Sequence, residues 1–145
     1  MIALQFIAVF SCLIFAGAAI YINIAEHPAR LECGTELAAT VFAPSYNRAS
    51  LMQAALALIS TISSVLVWFL GGSELWLVGA LFIFFVVPFT FVAIMPTNNK
   101  LKSLDLNKSA ESTRELLESW GKLHFVRSIA SLIASCIFLY IVVKT

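Results

Sequence analysis

The chain has 145 residues, 61% of them hydrophobic and only 12% charged, with a formal net charge of +1. Soluble domains carry about 25% charged residues, so this much apolar surface needs lipid to cover part of it. The near-neutral balance argues against nucleic-acid binding. The three cysteines, Cys12, Cys33 and Cys136, are scattered and form no CxxC, so neither a redox pair nor a zinc site is indicated.

Ile2 to Ala25 is uncharged, and about 24 residues suffice to span a hydrocarbon core roughly 30 Å thick. A cleaved signal peptide is the rival reading, because Ala16-Gly17-Ala18-Ala19 could pass for a cleavage site. No Lys or Arg precedes the run, and the apolar stretch continues past that point. Asn23 and His27 lie four apart and share a face. Pro28 is expected to end the first helix at His27.

Residues 29–47 are mixed in character and read as a loop containing a short interfacial helix. Pro44 to Asn47 reads as a turn into the second span, with Ser45 or Asn47 as its N-cap. That span, residues 49–70, carries Gln53, Ser60, Thr61, Ser63 and Ser64, and small hydroxyl side chains suit close helix packing in lipid. Gly71-Gly72-Ser73-Glu74 is a tight turn, with Trp68 and Trp76 beside it as an interface belt.

The third span, residues 75–95, contains Pro88, which loosens its backbone hydrogen bonds, and Pro96 is expected to end it near Met95. Thr90 is placed to bond a backbone carbonyl near the Pro88 kink. Thr97, Asn98 and Asn99 follow where the chain leaves the membrane. A polar connection leads to Ser112-x-x-Glu115, which fits a capping box, and to a fourth helix over residues 112–143. Only residues 128–143 of that helix are charge-free, so Arg127 falls about a turn inside the apolar slab.

The fold expected is therefore all-α, a bundle of four transmembrane helices. Arg30 and Arg48 lie in the first connection, and Lys100, Lys102, Lys108 and Arg114 in the third, against Lys144 alone on the opposite side. The positive-inside rule puts both long connections in the cytoplasm and both termini on the non-cytoplasmic side. The location expected is a multi-pass position in a bacterial cytoplasmic (inner) membrane. His27, Tyr46, Arg48, Asn98, Asn99, Trp120, His124 and Arg127 then collect at one end of the bundle.

Trp120, His124 and Arg127 are spaced i, i+4, i+7 on one helix face. Ionisable groups inside a membrane are costly and usually face a bundle interior or cavity. His124 is a candidate general base, Arg127 a candidate oxyanion stabiliser, and Asn98 or Asn99 candidate neutral donors. Trp120 and Tyr46 offer flat walls. Plainer roles stand beside these. Arg127 and Lys122 reach headgroups, His124 and His27 bond free carbonyls, and Tyr46 and Arg48 anchor the interface. His27 and His124 could flank a haem or share an ion with Glu26 or Glu118, although no Glu-x-x-His pair exists.

His27-Pro28, Tyr46-Asn47-Arg48, Pro88-Phe89-Thr90, Pro96-Thr97-Asn98-Asn99-x-Leu101 and Trp120-x-x-x-His124-x-x-Arg127 together resemble the DUF1772, or anthrone oxygenase-like, membrane proteins. The resemblance implies a four-helix membrane protein that oxidises an apolar aromatic, anthrone- or quinol-like, with molecular oxygen and without metal or flavin. It implies catalytic roles for His124, Arg127 and Asn98. Substrate contacts would come from His27, Tyr46, Arg48, Thr90, Asn99 and Trp120. Two other readings remain beside it: a non-catalytic membrane protein binding lipid or a partner, and a haem or metal protein using His27 and His124; a homo-oligomer is one assembly the sequence allows.

Overall fold

Apolar helices long enough to leave a bilayer at both ends make up nearly all of this chain. The computed structural model describes residues 1–144 and is helical throughout, with no strand among the described residues. Helix α1 (Ile2–Tyr21) passes through one widened π turn (Ile22–Glu26) into α2 (His27–Glu32). Helix α3 (Thr35–Phe69) is unbroken. Helix α4 (Leu75–Phe89) passes through a second π turn (Thr90–Ile94) into α5 (Met95–Leu101), and α6 spans Glu111–Lys144.

The result is four rods, Ile2–Glu32, Thr35–Phe69, Leu75–Leu101 and Glu111–Lys144, each long and apolar enough to cross a membrane. At 1.5 Å per residue a rod of 35 residues reaches on the order of 52 Å, well beyond a hydrocarbon core of roughly 30 Å. Large apolar side chains such as Phe6, Phe10, Phe69, Phe91 and Val143 stand exposed on the outside, as lipid contact requires. This is the architecture of a multi-pass integral membrane protein.

Short connections force sequential rods to run antiparallel. Helix α1 packs on α3, α3 on α4, α4 on α6, and α6 back on α1. Two connections depend on glycine, since Gly34 (φ 99°) and Gly71 (φ 94°) lie where a side chain would strain the backbone. One core layer gathers Phe15, Val67, Trp76, Ile83 and Phe138; the other gathers Ile22, Phe42, Ile94, Leu117 and Trp120. Small residues bring the rods close, as expected in lipid. A Cβ on Gly79 would collide with the Phe138 ring, and Ser60 Oγ donates to Ala8 O at 2.9 Å.

Four expectations about element ends need correction. The first helix does not stop at His27, because Pro28 continues it. The third does not stop near Met95, because Pro96 continues it to Leu101. Both exceptions have one cause. A helical proline clashes with the carbonyl four residues back and cannot donate to it. For Pro28 that carbonyl belongs to Ile24 and for Pro96 to Val92, each the middle residue of a π turn. The widened turn moves the carbonyl aside, so the rod passes the proline.

Residues 29–47 form no loop. The chain breaks only around Cys33 and Gly34, and Pro44 lies inside α3 with neither Ser45 nor Asn47 at an N-cap. Burial of Ala38, Ala39 and Phe42 holds that segment helical despite the missing donor. Ser112 is no N-cap either, since α6 starts one residue earlier and Thr113 Oγ1 donates to Asn107 O instead. Trp76 is buried against Phe138 and lies in the core, not in an interface belt.

Candidate functional site

The continuous first rod carries Asn23 and His27 alongside α6. Asn23 Nδ2 donates to Gly121 O at 3.0 Å, and His27 Nε2 donates to Leu117 O at 2.8 Å. Donor residues four apart thus meet acceptor residues four apart. Gly121 makes this approach possible, because a Cβ there would lie 2.8 Å from His27 Cδ2.

Asn23 also sets the state of His124. Its Oδ1 accepts from Ser128 Oγ at 2.6 Å and from His124 Nδ1 at 2.7 Å. The amide nitrogen is committed to Gly121 O, so the atom facing His124 is the oxygen and Nδ1 must carry the hydrogen. In the neutral ring Nε2 then holds the lone pair, and it takes no hydrogen bond among the described residues.

Trp120 lies at the centre. Its ring stacks on His124 at 4.8 Å, tilts against His27 at 5.0 Å and meets Phe42 edge-on at 5.2 Å. Trp120 Nε1 donates to Asn98 Oδ1 at 2.8 Å, and Asn98 Nδ2 donates to Tyr46 Oη at 2.7 Å. Tyr46 is the acceptor in that bond, so its own hydroxyl hydrogen is free to be donated elsewhere.

Arg127 is buried, with Nη2 donating to Gln53 Oε1 at 2.8 Å and its guanidinium over the Phe15 ring at 5.6 Å. Neither neighbour carries a negative charge. Arg30, also buried, pairs with Glu26 at 2.9 Å, and Glu26 accepts from Ser45 as well. Among the described residues four buried side-chain nitrogens lack partners: His27 Nδ1, Arg30 Nε, Gln53 Nε2 and Arg127 Nε.

Two cavities meet here. A small chamber of about 10 Å³, room for about one water, is lined by Arg30, Tyr46, Gln53, Trp120, His124 and Arg127, among others. A groove of about 550 Å³ runs beside it along α3 and α4, between Ala54, Ala57, Val86, Thr90, Phe91 and Lys102. Tyr46, Ser50, Gln53 and Arg127 line both, so they form the wall between an oxygen-sized recess and a space in the size range of small-molecule sites.

The structure brings His27, Tyr46, Asn98, Trp120, His124 and Arg127 together. Thr90 lines the groove and also bonds Val86 O at 2.6 Å. Arg48 and Asn99 are exposed and lie outside the cluster. Asn99 is turned away because α5 is helical there, and neighbours on a helix point about 100° apart. Sequence reasoning missed Asn23, Arg30, Phe42, Gln53 and Ser128 as parts of the site. Asn23 had a signal in its shared face with His27, and Gln53 is the sole amide in its span. Among the described residues no three His, Cys, Asp or Glu side chains converge as a metal site would need. His27 and His124 each spend one ring nitrogen on a protein oxygen and share a tryptophan between them.

Four apolar rods around an imidazole, an unneutralised guanidinium and aromatic rings make this a multi-pass membrane protein with a candidate small-molecule site beside a groove. More particularly, the chain belongs to the anthrone oxygenase family, whose profile matches residues 42–137. It is also similar to anthrone oxygenase tpcL of Aspergillus fumigatus, 39% identical over 69 residues. That alignment spans 45% of this chain and 43% of the relative, so the chain matches under half the relative's length. No solved structure matches. The family match leaves out the whole first rod, and with it Asn23, His27 and Arg30.

Proposed function

We propose that the protein is a cofactor-independent oxygenase that oxidises an apolar, anthrone- or quinol-like aromatic with molecular oxygen; in an anthrone the activated methylene becomes a carbonyl. The observation that carries this reading is the shared wall. Arg127 and Tyr46, whose own O–H is not donated to Asn98, line the groove, and His124, with Nε2 unbonded, lines the chamber beside them. Family membership supports the oxygenase class.

The substrate enters sideways from lipid between α3 and α4, with its rings against Val86, Phe91 and Ala57. His124 lines the chamber and not the groove, so its Nε2 takes the proton from the carbon between the two aryl rings through the one water the chamber holds, and Asn23 keeps the imidazole in the tautomer able to do so. Charge moves onto the substrate oxygen, where Arg127 and Tyr46 stabilise it. The electron-rich anion passes electrons to oxygen, a carbon–oxygen bond forms, and the peroxide loses water. The methylene gives up two hydrogens and gains one oxygen atom; the other leaves as water. Asn98 acts by orienting Tyr46 and Trp120. The resemblance's contacts from Arg48 and Asn99 then belong to the outer rim. Lys100, Lys102, Lys108 and Arg114 near the site end support a cytoplasmic site, with both termini on the other side.

Oxygen uptake by purified protein in detergent, driven by anthrone, tests the proposal. His124→Gln is expected to abolish turnover while the thermal transition persists. Uptake by His124→Gln at the parental rate would refute the base assignment, and no uptake by the parent with anthrones or quinols would refute the activity.

A further inference from the structure

The lining of the site selects the charge of what binds there. Three of the four unpartnered buried nitrogens, on Arg30, Gln53 and Arg127, belong to residues that line the chamber, and all three are donors. The spare hydrogen of Tyr46 adds a fourth. No Asp or Glu lines either cavity, whereas Lys102 stands in the groove with Arg127. Glu26 answers Arg30 from outside the lining, so two buried guanidiniums have one carboxylate between them. At least one positive charge is left without a partner, and protonation of His27 or His124 only increases the excess. A buried cation without a counter-charge is costly to keep. One water fills a recess of this size and cannot satisfy all these donors; a single anionic oxygen accepts several at once.

We infer that the site takes its aromatic ligand as an anion, a phenolate or carboxylate oxygen seated between Arg127 and Arg30, with the ring system in the groove. This rests on the proposed aromatic site and narrows its substrate class to aromatics that carry an acidic phenol or a carboxylate, with unsubstituted neutral aromatics bound more weakly. Arg30, on the rod outside the family match, becomes a specificity-determining residue.

Isothermal titration of the detergent-solubilised protein tests this with three ligands: anthraquinone-2-carboxylate, its neutral carboxamide, and decanoate, which keeps the anion without the flat body. Charge-assisted hydrogen bonds contribute about 1.5–3 kcal/mol, so the carboxylate should bind about 10- to 100-fold more tightly than the carboxamide. Decanoate should bind more weakly than the aromatic acid. Arg30→Gln should remove most of that preference, and Arg30→Lys should keep most of it. Equal binding of carboxylate and carboxamide to the parent overturns the inference and leaves the aromatic site standing. Decanoate binding as tightly as the aromatic acid overturns the aromatic class in favour of a lipid anion. Binding of none, with no oxygen uptake, overturns both this inference and the oxygenase reading.

Discussion

Gly121→Ala tests the contact that joins the first rod to the fourth. A methyl group at position 121 lies 2.8 Å from His27 Cδ2 and 3.0 Å from Nε2, closer than side chains tolerate. The ring is the tip of a short side chain, already held between Trp120 and Leu117 O, so its escape breaks the hydrogen bond to Leu117. Overpacking of this kind costs about 1–3 kcal/mol. In a background of His27→Ala the obstacle is gone. The same glycine-to-alanine change should then be neutral or stabilising by up to about 1 kcal/mol, through helix propensity alone. The assay is reversible denaturation of the four proteins of this cycle in one detergent. The coupling energy between positions 27 and 121 should be about 2 kcal/mol or more. Equal destabilisation by Gly121→Ala in both backgrounds would refute the close approach, and with it the register that brings Asn23 to His124.

Three further outcomes follow from the same geometry. Gln53→Glu places a carboxylate on Arg127, so it should raise the thermal midpoint yet lower turnover at least tenfold, by occupying the charge a ligand needs; a stabilised and fully active variant would contradict this. Asn23→Ala leaves His124 Nδ1 without its acceptor, and kcat should fall by about 10²-fold with a smaller change in KM. Ala54→Phe fills the groove mouth from an exposed position, so KM for a flat substrate should rise at least about tenfold, while the thermal midpoint stays put.

The rods were legible in the sequence because hydropathy is summed over about 20 residues and tolerates local error. Residues 112–143 were expected for the fourth helix and Glu111–Lys144 is observed. The common face of Trp120, His124 and Arg127 was legible too, since α6 is regular throughout and spacing alone sets direction. Rod ends were not legible, because a proline read in isolation is a stop signal. Whether it stops a helix depends on the turn before it, and a π turn leaves no mark in composition or charge.

That failure decides which residues of the site stayed hidden. With the first helix ended at His27, Arg30 is a loop cation and one more count for the positive-inside rule. With the rod carried past Pro28 to Glu32, the same side chain is buried and lines the chamber. Asn98 obeys the same logic. In a loop beyond Pro96 it and Asn99 are interchangeable donors; on a helix that the Thr90–Ile94 turn carries past the proline, one faces Trp120 and Tyr46 and the other faces out. Each π turn therefore extends a rod by about two turns of helix, and each extension delivers one polar group to the cluster. The site is assembled where two prolines fail to end their helices.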